Sequence, residues 1–408
     1  MTVLVADSLP EYAHGRLEET GCSLVYDPGL KDAALVDAIR AHTPEVVVVR
    51  STKVPAAAIE AHGGLNLVVR AGAGYNNIDV DTASARSVYV ANCPGKNSIA
   101  VAELAVGLLL SLDRRIPDNV ADLREHRWNK QEYATAAGLY GRTLGVIGLG
   151  RIGREVASRA RAFGMSVVAW SRSLTPEAAQ EIGIRRLDSP VDVARAADAV
   201  SVHLAATEET RGLLGKAFFD ALKPGAYFIN TARAEVLDEQ ALSQAVREKG
   251  VRAALDVFAG EPSAKQGAVE AEIFDLPLVY GTHHIGASTE QAQNAVADEV
   301  VRIVSTYMQS GRVLNCVNTA RRTPARYIVS VHHRNRVGVL AAVLGVIREH
   351  GINVDAMENV LFEGGEGACA NIQIEAELPA DALEQMKTAH GDVLSVNAHE
   401  ITRDQPER

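Results

Sequence analysis

The run Thr143-Leu-Gly-Val-Ile-Gly-Leu-Gly-Arg-Ile-Gly153 constrains this chain more than any other segment. An apolar strand, Leu144 to Ile147, meets Gly148, Gly150 and Gly153, and Arg154 to Phe163 then carry helical periodicity that stops at Gly164. The first two glycines permit a tight turn and close approach of backbone to a pyrophosphate, which rests on free N–H groups at the positive end of the helix. The third lets helix and strand pack closely. Such a motif alone is weak; a second strand, Val167 to Trp170, arrives where a dinucleotide-binding unit needs it. The reading is a dinucleotide site in which Gly148, Gly150, Arg151, Ile152 and Gly153 surround the phosphates.

At 408 residues the chain suits two or three domains of roughly 150 residues each. Its formal charge of −10 argues against a nucleic-acid partner, because a phosphate backbone needs a clustered positive face. Cys22, Cys93, Cys316 and Cys369 stand apart, with neither zinc-ligand spacing nor the density of a disulfide scaffold; no metal site and a reducing compartment are expected. The sequence opens on a strand, Val3 to Ala6, without a basic and apolar leader, so a cytoplasmic location is expected. The longest apolar stretch, Ile99 to Leu112, contains Glu103 and is too short for a bilayer; no membrane partner is expected.

Short apolar strands alternate with amphipathic helices from Val3 to Asn92 and again from Gly141 to Gly286, with strands of the second series near Val167, Val200, Phe228, Ala253 and Val279. That alternation predicts an α/β chain with two doubly wound, Rossmann-like parallel sheets. Asn97 or Ser98 is the expected N-cap of the long apolar helix, and the helix from Glu290 to Gln309 is expected to return to the first unit. Residues 1–96 and 287–318 then form one domain and 97–286 the dinucleotide domain. A polar linker follows at 319–325. Within 326–408, strands at Tyr327 to Val331, Ile352 to Val360, Gly367 to Ala376 and Val393 to Ala398 alternate with helices at Val337 to Glu349 and Asp381 to Thr388. This is a βαββαβ, ferredoxin-like order.

Three polar residues of the second unit follow strands: Arg233 after Tyr227 to Thr231, Glu261 after Leu255 to Phe258, and His284 after Leu278 to Thr282. Strand ends are where an open α/β sheet places functional groups. Reduction of a 2-keto acid needs a cation to hold the carboxylate and polarise the keto oxygen, for which a guanidinium is suited. It also needs a proton donor near neutrality, which imidazole supplies when a carboxylate orients it and favours its charged form. His283 stands beside His284, and register decides between them.

The motifs Arg70-Ala-Gly-Ala-Gly-Tyr-Asn-Asn-Ile-Asp79, Asn97-Ser98, Ala102-Glu103-Leu104, Gly148 to Gly153, Ile229-Asn-Thr-Ala-Arg233, Ala254 to Phe258, Gly260-Glu-Pro262 and His284 to Thr289 resemble the D-isomer-specific 2-hydroxyacid dehydrogenase family, and within it the D-3-phosphoglycerate dehydrogenases. The resemblance covers nearly the whole chain. It implies that Arg233, Glu261 and His284 are the catalytic set, that Asp256 contacts the nicotinamide with Thr231 and Ala232 nearby, and that Ala73, Gly74 and Asn97 bind substrate. Arg50 resembles the family's phosphate-side arginine; where relatives add a second arginine this chain has Thr52, with Lys53 as the expected substitute. The family commonly has Pro at 283 and Gly at 234, here His283 and Ala234.

In an NAD-specific fold the second strand ends in an acid that binds the ribose hydroxyls. Here it ends in Trp170-Ser-Arg-Ser173; Ser171 cannot repel a 2′-phosphate and Arg172 can pair with one, so NADP is favoured with NAD as the alternative. The segments Val331 to Leu340 and Gly351 to Val354 resemble an ACT domain of the kind that binds serine, which implies an L-serine effector held by His333, Asn335 and Asn353 between two modules of a homodimer or homotetramer. Val337 stands where relatives usually have Pro. Two rival readings are a hydroxypyruvate or glyoxylate reductase of the same family and a non-enzymatic, dinucleotide-sensing protein resembling the C-terminal-binding corepressors.

Overall fold

The computed structural model describes residues 1–262, 267–320 and 323–402; two residues of the expected linker and the last six of the expected C-terminal domain lie outside them. The chain divides into two compact units, Met1–Asn318 and Thr319–Arg408.

In the first unit the βα alternation builds two parallel sheets. The first contains β1 (Thr2–Val5), β2 (Ser23–Tyr26), β3 (Val46–Val49), β4 (Leu67–Arg70) and β5 (Tyr89–Asn92) in the order β2-β1-β3-β4-β5. All four valines of β3 are buried, as a strand covered on both faces requires. The second sheet contains β6 (Thr143–Ile147), β7 (Ser166–Trp170), β8 (Arg185–Arg186), β9 (Ala199–Val202), β10 (Tyr227–Asn230), β11 (Arg252–Leu255) and β12 (Val279–Gly281). Their order is β12-β11-β10-β9-β6-β7-β8. β8, absent from the sequence reading, is a two-arginine edge strand with exposed side chains and no apolar pattern to betray it. The order reverses at β6, which pairs with both β7 and β9, and ligands of such sheets bind beyond the strand ends at that switch point. The glycine turn follows β6 directly.

Two crossings join the sheets. After β5 the helix Ser98–Arg114 packs on the second sheet, burying Ala102, Ala105, Leu109 and Leu112 in the core that holds Leu144 and Val146. The helix Glu290–Ser310 returns to the first sheet and buries Val296, Val300 and Val304 with Val3, Val46 and Leu67. Glu299 on this helix is 3% exposed and pairs with Arg302 and, at 3.1 Å, with Lys96 of the first crossing. These partners outweigh its burial; the Arg302 hydrogen bond leads, and the carboxyl is held down at about 2.

The second unit is an antiparallel sheet of β13 (Tyr327–Arg334), β14 (Val354–Leu361), β15 (Gly367–Ile374) and β16 (Val393–Glu400) in the order β14-β15-β13-β16. The helices Val339–Glu349 and Ala380–Thr388 contribute Val343, Ile347 and Met386 to a core with Val329, Val331 and Ile372. The first of these helices begins two residues later than expected. Gly338 takes the N-cap position at φ 92°, a left-handed conformation that favours glycine, and leaves Val337 in the turn, 99% exposed. No helix among the described residues is long and apolar enough to cross a membrane.

Candidate active site

The glycine turn closes as its spacing requires. Gly148 has φ 94°, and a Cβ there would lie 2.6 Å from the His203 carbonyl oxygen; at Gly153 it would lie 2.2 Å from the Gly148 carbonyl oxygen. The helix starts at Arg151, three residues before the periodicity announced it, so Gly153 lies in its first turn. At Gly150 a Cβ would meet no protein atom within 4 Å. Open space thus borders the amides of the first helical turn, which have no intrahelical acceptors, and a pyrophosphate fits there. Thr231, after β10, adds a buried hydroxyl with no partner. These features fit a dinucleotide. Ser171 and Arg172 follow β7; the hydrogen bond from Thr207 chiefly lowers the Glu209 pKa, and the Arg172 charge adds a smaller part.

Beyond β12 the loop 282–286 presents His284 at φ 53°. Asp256, just after β11 and 1% exposed, holds both sides of that residue: its carboxylate accepts from Thr282 Oγ1 at 2.6 Å, from the Ile285 amide at 2.8 Å and from the Gly286 amide at 2.9 Å. Asp256, the residue expected to contact a nicotinamide, thus also fixes the loop that carries His284. His284 Nδ1 lies 2.7 Å from Glu261 Oε2, and Glu261 Oε1 accepts the Phe258 amide at 3.0 Å. The Glu261 hydrogen bond raises the His284 pKa against burial; Glu261 itself is lowered, because its burial, the largest single influence, is outweighed by His284, the Phe258 amide and Arg233 together. His283 is exposed, and no side chain among the described residues hydrogen-bonds it; of the two imidazoles, it is His284 that pairs with Glu261.

Arg233 follows β10, where Asn230 fixes the turn: its Nδ2 donates to the Arg233 carbonyl at 2.9 Å and its Oδ1 accepts the Ala232 amide at 3.0 Å. Ala234 opens a short 3₁₀ turn and is not among the residues with positive φ, so replacing the family's usual glycine strains nothing. The Arg233 guanidinium reaches across to the first sheet's loop, its Nη2 lying 2.2 Å from where a Cβ on Gly74 would be. Beside Gly74, the Ala73 carbonyl is held by Asn92 Nδ2 at 2.6 Å.

Sequence reasoning missed Arg70 as a site residue, although it heads the glycine-rich loop motif. Its buried Nε has no partner, and its guanidinium pKa is pushed down to about 10 by burial first and then by the like charges of Arg233 and Arg50. Arg50 stands on a turn that Asp7 organises, one carboxylate oxygen accepting the amides of Arg50, Ser51 and Thr52 at 2.7, 3.0 and 2.9 Å. Arg50, Arg70, Asn97 and His284 line a cavity of about 260 Å³, and Asn97 Oδ1 is buried there without a partner instead of capping its helix. Lys53 is exposed and does not line this cavity; Arg70 supplies the second cation expected of it. A second cavity of about 620 Å³ is lined by Arg233, Glu261 and His284, so the imidazole borders both.

In the second unit the expected effector residues do not converge. His333 is 2% exposed, with Nδ1 2.8 Å from the Arg334 carbonyl and Nε2 3.1 Å from Asn359 Oδ1, so both ring nitrogens face protein atoms. Asn335 Nδ2 donates to the Gly365 carbonyl at 3.1 Å, beyond the end of β13 where Arg334 faces Gly367. Asn353 precedes Val354, which pairs with Ile374 at the sheet's other end, roughly 25 Å away at the usual strand rise.

Residues 106–286 match the model of the D-isomer specific 2-hydroxyacid dehydrogenase NAD binding domain, and residues 327–358 match the ACT domain. The chain is 38% identical over 318 residues to the D-3-phosphoglycerate dehydrogenase of Methanocaldococcus jannaschii, covering 78% of this chain and 59% of that protein. It thus spans less than two thirds of the length of that curated relative. An NAD+-bound 3-phosphoglycerate dehydrogenase of Entamoeba histolytica superposes with TM-score 0.65 at 26% identity, over 78% of this chain and 99% of that one. An NADPH-dependent glyoxylate/hydroxypyruvate reductase of Sinorhizobium meliloti does so with TM-score 0.68 at 30% identity, over 79% and 98%.

The electrostatics give a direct test. An anionic partner favours the imidazolium, so Glu261→Gln is expected to lower the His284 pKa, which imidazole titration by NMR reads. An unchanged His284 titration would show that Glu261 does not hold the proton there.

Proposed function

The chain belongs to the D-isomer-specific 2-hydroxyacid dehydrogenase family, and from that premise we propose that it oxidises D-3-phosphoglycerate to 3-phosphohydroxypyruvate, the opening step of L-serine synthesis. A nicotinamide dinucleotide on the glycine turn, with Arg151, Ile152, Thr231 and Ala232 around it, supplies the hydride acceptor. Arg233 holds the carboxylate and polarises the 2-oxygen, with the backbone at Ala73 and Gly74 alongside. His284 takes the hydroxyl proton during oxidation and returns it to the carbonyl oxygen in the reverse direction. Since Glu261 occupies Nδ1, the proton moves through Nε2. Asp256 acts through His284, fixing the loop that presents it.

One observation carries the substrate reading: two guanidiniums beyond Arg233, those of Arg50 and Arg70, border the cavity that His284 also borders. A substrate with a second anionic group uses them; glyoxylate does not. The rival reading, a glyoxylate or hydroxypyruvate reductase, draws on the likeness to the Sinorhizobium meliloti enzyme. For the cofactor, Ser171 in place of an acid leaves a 2′-phosphate unopposed, which favours NADP with NAD as the alternative.

For the second unit we propose regulation by L-serine between two modules of a homo-oligomer. Asn335 and Asn353 lie at opposite ends of one sheet, so only a second copy brings both to one small molecule. His333 is withdrawn from this reading, because its ring is buried and both nitrogens face protein atoms.

Absorbance at 340 nm with D-3-phosphoglycerate, hydroxypyruvate and glyoxylate, each with both cofactors, is expected to give the highest kcat/KM for phosphoglycerate; a preference for glyoxylate overturns the substrate assignment. His284→Ala should lower kcat by roughly two to four decades, the scale of a lost general acid/base, and His283→Ala far less. The reverse ranking would move the role to His283.

Changing Ser171 to Asp should move the kcat/KM ratio toward NAD by repelling a 2′-phosphate. If the ratio stays put, discrimination lies elsewhere.

Millimolar serine should inhibit the intact protein, and Asn353→Ala should abolish inhibition while retaining activity. Calorimetry without a serine signal would leave the second unit with an assembly role alone.

A further inference from the structure

Arg151 is the first residue of the helix on the glycine turn, yet its guanidinium points to the other sheet's exit: Nη1 donates to the Pro94 carbonyl at 2.6 Å, in the crossing between β5 and the helix Ser98–Arg114. Gly95 makes room for it. This residue has φ 82°, and a Cβ there would lie 2.3 Å from Arg151 Nη1 and 2.6 Å from its Cδ. The same short crossing is fastened at two other points and borders the anion cavity at a third. The Cys93 amide donates to the Gly72 carbonyl at 2.9 Å, Lys96 pairs with Glu299 at 3.1 Å on the returning helix, and Asn97 lines the cavity of Arg50, Arg70 and His284. Four residues, Pro94 to Asn97, thus run from the dinucleotide turn to the anion cavity, and the Arg151 side chain is the hydrogen bond that ties the turn to them.

A carbonyl oxygen is a weaker partner for a guanidinium than a phosphate, and the helix N-terminus that begins at Arg151 is where a pyrophosphate is favoured. We propose that Arg151 is a positioning residue with two alternative partners, and that a dinucleotide phosphate draws it off Pro94 and frees the crossing to close the cleft. This rests on the dinucleotide reading given above. Latched, the crossing is pinned to the glycine turn and anions bind weakly; released, it lets Asn97, which already lines the cavity, and the arginines close on an anion. Dinucleotide therefore tightens anion binding, and by linkage an anion tightens dinucleotide binding by the same factor.

Calorimetric titration of the full chain with oxalate, with and without saturating reduced dinucleotide, reads the coupling as a ratio of Kd values. In the parent a ratio of roughly 5- to 50-fold is expected, within the usual range of coupling between sites. In Arg151→Met and in Gly95→Ala, which displaces the guanidinium, the ratio should fall to about 2-fold or less. It should fall because oxalate binds more tightly in the absence of dinucleotide, which general damage to the fold does not produce. Should Gly95→Ala not fold, Arg151→Met, which leaves the backbone unstrained, decides alone. A parental ratio retained in the variants overturns the latch while leaving the dinucleotide reading intact, as does a ratio lost through weaker binding in the presence of dinucleotide. Oxalate or dinucleotide that fails to bind the parent overturns both.

Discussion

The carboxylate of Asp256 is the constraint on which the site depends. It is a buried carboxyl group, made tenable by a hydroxyl and two amides that all come from the loop carrying His284. The loop needs the carboxylate equally. A non-glycine residue at φ 53° lies in a sparsely populated region, and such backbone persists where its surroundings over-determine it. With the loop fixed from one side, Glu261 sets the ring from the other, and the imidazole is left between two cavities with one nitrogen free for chemistry.

Around this rigid point the structure gathers like charges. Arg50 and Arg70 come from the first sheet and Arg233 from the second, so their mutual repulsion acts across the cleft. Depression of the Arg70 pKa registers that cost together with its burial. An anion placed between them would offset that repulsion from both sheets at once. The two sheets are otherwise joined by their crossings, one of them anchored by the Glu299 network.

Much of this was legible in the sequence where local pattern determines geometry. The glycine turn, the buried strands of both sheets and the strand-end positions of Arg233, Glu261 and His284 follow from spacing and periodicity. Other features depend on what folding brings near. Arg70 reads as the end of a strand until Arg233 and Arg50 arrive beside it, and Lys53 reads as a cation for the cavity until the turn held by Asp7 carries it outside. The edge strand Arg185–Arg186 has no apolar signature at all. In the second unit, strand order and not residue type separates Asn335 from Asn353, and alternation along β13 turns His333 into the core beside Val329 and Val331.

The three glycines after β6 differ in what forbids a side chain. At Gly148 and Gly153 the obstacle is the protein's own backbone, a carbonyl oxygen too close for any Cβ. At Gly150 the dihedrals are φ −75° and ψ −158°, ordinary extended backbone, and the space is clear. A lineage that gave up the dinucleotide would be free to drift at Gly150 alone, because folding continues to hold the other two. Of the three glycines the middle one is therefore the one whose identity records a ligand, whereas the other two record only a turn.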